Sequence, residues 1–349
     1  MNRVFKKVDI SKLKKKRSAD APRVALIGGG SWATALIKIL SENKVNIHWW
    51  LRDKEAVRYI KKNRFNPNYL TNVPINKHRV RVFSQLKNAL KDVNYVILVI
   101  PAAFVENALE GLNQEDLAGK IIISAVKGII PEKNLLVTEL LEQKFLLKPE
   151  SLAILSGPCH AEEVALSKQS YLTVGAFEAK VAEKVAALLE GSYIKTILST
   201  DVYGIEYCAV MKNIIALACG IARGLNYGDN FQAVLVSSAM QEIRRFVQKI
   251  YPHERDFFDS VYLGDLLVTA YSQFSRNRTF GNMIGRGYTV QSAQVEMNMI
   301  AEGYYAVKCI YDINKNYQIS MPITKATYKI LYEKVSPALE LSLLKDLIA

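Results

Sequence analysis

Between Val24 and Leu36 the chain reads VALIGGGSWATAL: an apolar run, three consecutive glycines, then residues at helical spacing. Few features narrow the choice of fold so strongly. A short, continuously apolar run is the pattern of a strand covered on both faces. Ala33, Leu36, Ile37 and Leu40 then recur along one helical face. Glycine at the junction permits positive φ and leaves no side chain between the backbone and a ligand. The first N–H groups of the following helix lack internal partners, and the helix dipole favours an anion beside them. The stretch therefore predicts a turn that cradles phosphate.

Further strand-like runs follow at 45–51, 80–83, 94–100, 120–126, 152–157, 171–176 and 194–199, with helix-like segments between most of them. That alternation predicts βαβ units and a mainly parallel sheet. After Thr200 the pattern becomes helical, opening with a long apolar segment headed by Asp201. The expected fold is α/β: a Rossmann-type, doubly wound domain over 23–200, then an all-helical domain over 201–349. Residues 1–22 read as a basic arm. The glycine- and asparagine-rich stretches at 224–230 and 275–288 read as loops.

Composition limits the function classes. A chain of 349 residues is longer than one typical core supports. Nine Lys and Arg fall within residues 1–23 against Asp9 and Asp20, so over half of the net charge of +13 lies there. Lysine clusters can neutralise phosphates, but Phe5 alone interleaves an aromatic ring, so a solvated arm is preferred to specific nucleic-acid binding. No membrane span is read, because Glu206, Lys212, Asn213 and Arg223 interrupt the longest apolar stretch. The start lacks the apolar segment of a secretory signal. Four cysteines and four histidines without metal-ligand spacing give no zinc site or disulfide framework, and a cytoplasmic location is expected.

Several residues carry chemistry. Gly28 and Gly30 bracket the phosphate turn, and Ala33 takes the third glycine position of a dinucleotide fingerprint. Arg52 and Asp53 follow the second strand, where an acidic residue suits the ribose of NAD and an arginine suits the 2′-phosphate of NADP; having both leaves the choice open. Lys212 stands in an apolar helix, where burial lowers a lysine pKa toward the range useful for proton transfer. Lys127 follows an apolar strand at the end where parallel sheets bind ligands. Asp265 reads as a partner for Lys212 or a substrate hydroxyl, and equally as a helix N-cap. Ser275, Arg276, Asn277 and Arg278 offer guanidinium groups suited to phosphate.

Together GGGSWATAL, NPNYL (66–70), SAVKGI (124–129), LSGPCHAEEVA (155–165), AVMKNIIALACGI (209–221), LGDLLVTAYSQFSRNRTFG (263–281) and AEGYYAVK (301–308) resemble the bacterial NAD(P)-dependent glycerol-3-phosphate dehydrogenases, in order, over about residues 23–333. The resemblance implies interconversion of sn-glycerol 3-phosphate and dihydroxyacetone phosphate with NADH or NADPH, in a homodimer, at the head of phospholipid synthesis. It implies a substrate site of Lys127, Gly157, Cys159, Lys212, Asp265, Ser275, Arg276 and Asn277, with Lys212 as proton acceptor. It also implies cofactor contacts from Gly28, Gly30, Ser31, Trp32, Arg52, Tyr69, Lys127, Ala161, Arg276, Ile300 and Glu302, and no metal. Cys159 stands where the family usually has Ser or Thr, Leu51 replaces a polar residue, and Ala102 and Ala103 replace Ser or Thr.

Two other readings share the glycine turn. Ketopantoate-type and hydroxyisobutyrate-type enzymes have a helical-domain lysine too, but are not expected to combine SRNR with GDL and KG. A catalytically silent nucleotide sensor has no need for a buried base.

Overall fold

A computed structural model describes residues 21–297 and 301–348. The basic arm and Ile300 therefore lie outside the described residues, apart from residues 21 and 22 of the arm.

Eight strands form one sheet: β1 (Arg23–Ile27), β2 (Asn46–Trp50), β3 (Val80–Phe83), β4 (Tyr95–Leu98), β5 (Ile121–Ser124), β6 (Leu152–Ser156), β7 (Ser170–Ala176) and β8 (Ile194–Ser199). Their spatial order is β3-β2-β1-β4-β5-β6-β7-β8. Neighbours pair in parallel except β6 with β7, which pair antiparallel, so the sheet is mainly parallel as expected. The chain winds outward from β1 to β3, then crosses to β4 and winds the other way. The crevice at the carboxyl ends of β1 and β4 is thus the switch point where such sheets bind ligands.

Alternation along the strands covers both faces. Val24 and Leu26 enter one core with Leu36 and Leu40 from the Ser31–Glu42 helix. Ala25 and Ile27 enter the other with Val137, Leu140 and Phe145. A third core gathers the helices after Asp201 and includes Ile129, Leu136 and Ile154 from the sheet-bearing segment.

The third core is organised by the Val202–Gly224 helix, whose start is capped by the Asp201 side chain accepting from Gly204 N at 3.2 Å. Its length and mean hydropathy of 1.5 would suit a bilayer, but the whole of that apolar window is buried inside this protein. A lysine and an asparagine on it, Lys212 and Asn213, are each 5% exposed.

The loop expected at 275–288 is instead the Arg276–Gly285 helix, begun by Ser275, whose Oγ accepts from Arg278 N. Glycine there serves close approach rather than chain reversal. A Cβ on Gly281 would stand 2.0 Å from the Leu217 carbonyl oxygen, and one on Gly285 2.3 Å from that of Ile221. Reciprocally, Cβ atoms on Gly220 and Gly224 would stand 2.1 Å and 2.4 Å from the carbonyls of Arg278 and Asn282. Two glycine pairs, each spaced by four residues, let two helix backbones touch. That contact brings Ser275–Asn277 beside Lys212. Gly303 completes the junction: its N–H donates to Asn277 Oδ1 at 2.8 Å, and a Cβ there would meet the Asn213 carbonyl at 2.5 Å.

Candidate active site

A cavity of about 570 Å³ opens along the carboxyl ends of β1, β4, β5 and β6 and is closed on its far side by the later helices. Its wall includes Gly28, Gly30, Ser31, Trp32, Arg52, Tyr69, Ala161 and Glu302, and also Lys127, Cys159, Lys212, Asp265, Ser275, Arg276 and Asn277. Of the described residues expected at a site, Gly157 and Arg278 are not in the wall. Gly157 sits behind it, where its carbonyl accepts from Lys127 Nζ at 2.8 Å. Arg278 lies on the Arg276–Gly285 helix, where its N–H donates to Ser275 Oγ.

The glycine turn is built for close approach. Gly28 has φ +138° and packs so that a Cβ would stand 2.0 Å from the Val99 carbonyl oxygen. Gly30 caps the Ser31–Glu42 helix without a side chain, and no atom lies within 4 Å of where its Cβ would be. An open helix N-terminus with bare backbone is what a pyrophosphate requires. Two buried polar atoms in the wall, Trp32 Nε1 and Glu302 Oε2, have no hydrogen-bond partner within the protein. Glu302 Oε1 accepts from Ala102 N at 2.9 Å. Burial pushes the Glu302 carboxyl up to about 7, against the Ala102 N–H and the Arg276 charge. These features fit a dinucleotide cofactor.

Asp53 is not offered to a ribose by both oxygens. Its Oδ1 caps the Lys54–Asn63 helix, accepting from Glu55 N and Ala56 N at 2.8 Å and 3.2 Å. Arg52 is exposed in the cavity wall, its guanidinium 5.5 Å from the centre of the Phe104 ring.

At the base of the cavity one carboxylate faces two lysines. Asp265 is 1% exposed and takes Lys212 Nζ on Oδ1 at 2.5 Å and Lys127 Nζ on Oδ2 at 3.2 Å. Ser156 Oγ donates to Oδ2 at 3.4 Å, and Lys212 also donates to Thr269 Oγ1 at 3.1 Å. Asp265 begins a helix but is not its N-cap, which is Gly264; the side chain turns to the lysines instead. A five-residue π-turn, Ser260–Gly264, leads directly into it, a distortion common at functional sites. Burial lowers the Lys212 ammonium to about 7, with Lys127 adding to the effect and Asp265 opposing it. Burial alone would raise the Asp265 carboxyl, but the two lysines hold it below its ordinary value. The arrangement is a proton donor and acceptor held in place by a permanent anion.

Cys159 directs its Sγ to the Tyr171 carbonyl at 3.1 Å, and burial pushes the thiol up to about 11, so it remains protonated. Arg276 is exposed at the first position of its helix, giving the cavity a second helix N-terminus with a guanidinium beside it.

Residues not anticipated from the sequence also stand here. Asn213 Nδ2 donates to the Lys127 carbonyl at 2.6 Å, tying the two lysine-bearing segments. Thr269 positions Lys212. His160 lines the cavity with its Nε2 unpartnered, and burial, with the charges of Lys212 and Lys127, lowers its pKa. Its place just after β6, at a carboxyl end of the sheet, was the available signal.

A doubly wound sheet with a bare glycine turn at its switch point, and a lysine–carboxylate pair across the cavity, defines the class of nicotinamide-dinucleotide-dependent dehydrogenases. Residues 23–182 match the family described as NAD-dependent glycerol-3-phosphate dehydrogenase N-terminus, and residues 201–341 match its C-terminus. The chain belongs to the NAD-dependent glycerol-3-phosphate dehydrogenase family. It is 37% identical over 317 residues to a glycerol-3-phosphate dehydrogenase (NAD(P)+) of Clostridium botulinum, covering 91% of this chain and 95% of that one. It is 36% identical over 315 residues to the protein of that name from an Exiguobacterium species, covering 90% and 92%. Among solved structures, glycerol-3-phosphate dehydrogenase from Coxiella burnetii superposes with a TM-score of 0.87 at 26% identity, over 93% of this chain and 99% of that one. A ketopantoate reductase from Ralstonia eutropha, at 15% identity and a TM-score of 0.56, shares the fold alone.

Proposed function

We propose that this chain interconverts dihydroxyacetone phosphate and sn-glycerol 3-phosphate, using NADH or NADPH, with Lys212 moving the proton. The observation that carries the reading is the buried Lys212–Asp265 pair at the base of a cavity that also holds two helix N-termini. When bound, the nicotinamide supplies or accepts hydride. Gly28, Gly30, Ser31, Trp32, Arg52, Tyr69, Ala161 and Glu302 are assigned to holding the cofactor, together with Lys127 and Arg276. Ile300, outside the described residues, is assigned to it by family position.

Arg276 and the N-terminus it begins, with Ser275 and Asn277, bind the substrate phosphate, because a guanidinium fork and free N–H groups both favour that dianion. Lys127 directs its ammonium to the substrate oxygens, held by Gly157 and Asp265. The Cys159 thiol stays on the wall, so that position serves through its backbone. Lys212 gives its proton to the carbonyl oxygen during reduction and takes the hydroxyl proton during oxidation. Asp265 and Thr269 hold its Nζ in place through both directions.

Family membership supports a homodimer in the cytoplasm whose product enters phospholipid synthesis. The test is direct: purified protein is given dihydroxyacetone phosphate with NADH, then with NADPH, and loss of nicotinamide absorbance is followed. Oxidation that depends on the phosphorylated ketone is expected. Failure with both cofactors overturns the proposal.

A further inference from the structure

We propose that Asn66 is a positioning residue for the cofactor: it sets the direction of the Gly29–Gly30 peptide and docks the 64–75 strap against the glycine turn. The inference rests on the dinucleotide reading of the cavity and gives a task to Asn66, which the proposed function leaves without one although Tyr69 of the same NPNYL segment is assigned to the cofactor.

Asn66 is 1% exposed, and its amide is fully used. Its Nδ2 donates to the Gly29 carbonyl at 3.0 Å and to Thr34 Oγ1 at 2.8 Å. Its Oδ1 accepts from Asn68 N at 3.0 Å and Tyr69 N at 3.2 Å. Four bonds exhaust what one carboxamide offers. Two of them hold the strap and two hold the glycine turn, which lies far away in sequence. The strap is closed on itself by Ile75 N donating to the Arg64 carbonyl at 2.8 Å and Val73 N to that of Leu70 at 2.9 Å. It carries Asn68 and Tyr69 into the cavity wall.

The direction of the peptide matters for an anion. All three glycine carbonyls are held by internal donors: Gly28 by Trp49 Nε1 at 2.6 Å, Gly29 by Asn66, and Gly30 by Thr34 Oγ1 at 3.1 Å. A trans peptide points its N–H opposite to its C=O, and no cis bond occurs among the described residues. Holding the Gly29 carbonyl therefore fixes the Gly30 N–H, the donor at the helix entrance. Were that carbonyl free to rotate, its negative end could face the pyrophosphate.

The experiment measures dissociation constants of NADH and NADPH by fluorescence, alongside kcat, both Michaelis constants and Tm. The variants are Asn66→Ala, Asn66→Asp and, as a milder change that keeps the strap's own bonds, Thr34→Val. Cofactor dissociation constants are expected to rise at least tenfold in Asn66→Ala and Asn66→Asp, and two- to fivefold in Thr34→Val. At saturating cofactor, kcat and the Michaelis constant for dihydroxyacetone phosphate should stay within about threefold. A lowered Tm with unchanged cofactor affinity in any folded variant overturns the proposal, since that is a merely structural role. Weakening by the aspartate alone also overturns it, because charge rather than position would then be responsible. If wild type binds neither cofactor, the dinucleotide reading itself fails.

Discussion

Lys212 Nζ lies 2.5 Å from Asp265 Oδ1, and both side chains are almost wholly removed from solvent. Lys127 reaches the other oxygen of the same carboxylate at 3.2 Å. Two ammonium groups thus share one anion in a place where an uncompensated charge is expensive. The excess positive charge is relieved most easily by releasing a proton from the more buried lysine, the proton that the proposed function assigns to the reaction.

The pH dependence follows with a definite sign. Burial sets Lys212 near 7. Reduction needs the ammonium, so kcat for dihydroxyacetone phosphate should fall as pH rises through about 7. Oxidation needs the amine, so kcat for sn-glycerol 3-phosphate should rise through the same region. Parallel limbs in the two directions would contradict the assignment. Lys212 and Asp265 are coupled, so the limbs report the pair.

Arg276→Ala should weaken recognition of the phosphate. Losing a charge-assisted hydrogen bond costs about 1.5–3 kcal/mol, or roughly 10–100-fold in the Michaelis constant for dihydroxyacetone phosphate. The comparison is with unphosphorylated dihydroxyacetone, whose poor turnover should change little. Undiminished preference for the phosphorylated ketone would move the phosphate site elsewhere.

Two glycine-to-alanine changes should separate packing from binding. In Gly281→Ala the new methyl meets the Leu217 carbonyl at 2.0 Å, so the helices must part, at about 1–3 kcal/mol by urea denaturation. Gly30→Ala meets no protein atom within 4 Å at an ordinary φ of −80°, so stability should hold. Its methyl occupies the approach to the helix N-terminus, and cofactor affinity should fall at least tenfold. Equal loss of stability in both variants would refute this division of roles.

How far the sequence can be read depends on the range of the interactions involved. The strands and the glycine turn are local patterns: short apolar-rich runs, the first of them ending in three glycines, whose meaning is settled within a dozen residues. The helix at 276–285 is hidden because Gly281 and Gly285 look like loop glycines until Leu217 and Ile221 are seen against them. Asp265 is legible as a partner for Lys212, but its second partner, Lys127, is 138 residues away and carries no local sign of the contact. Asn66, Asn213 and Thr269 were invisible for the same reason: a polar residue announces its task only when its partners arrive from other elements. The lysine in an apolar helix was legible because burial of a charge is itself the anomaly.

The central claim is that Lys212 carries the proton, and the most direct test is turnover of wild type and Lys212→Met at saturating cofactor. Methionine keeps the length and apolar stem, so the Val202–Gly224 helix should still pack, which circular dichroism and Tm check. Removal of a positioned acid–base group costs about 10²–10⁴ in rate. The account predicts a loss of that size in kcat, with cofactor affinity within a few-fold because the glycine turn is untouched. A folded Lys212→Met protein that turns over within tenfold of wild type would contradict it.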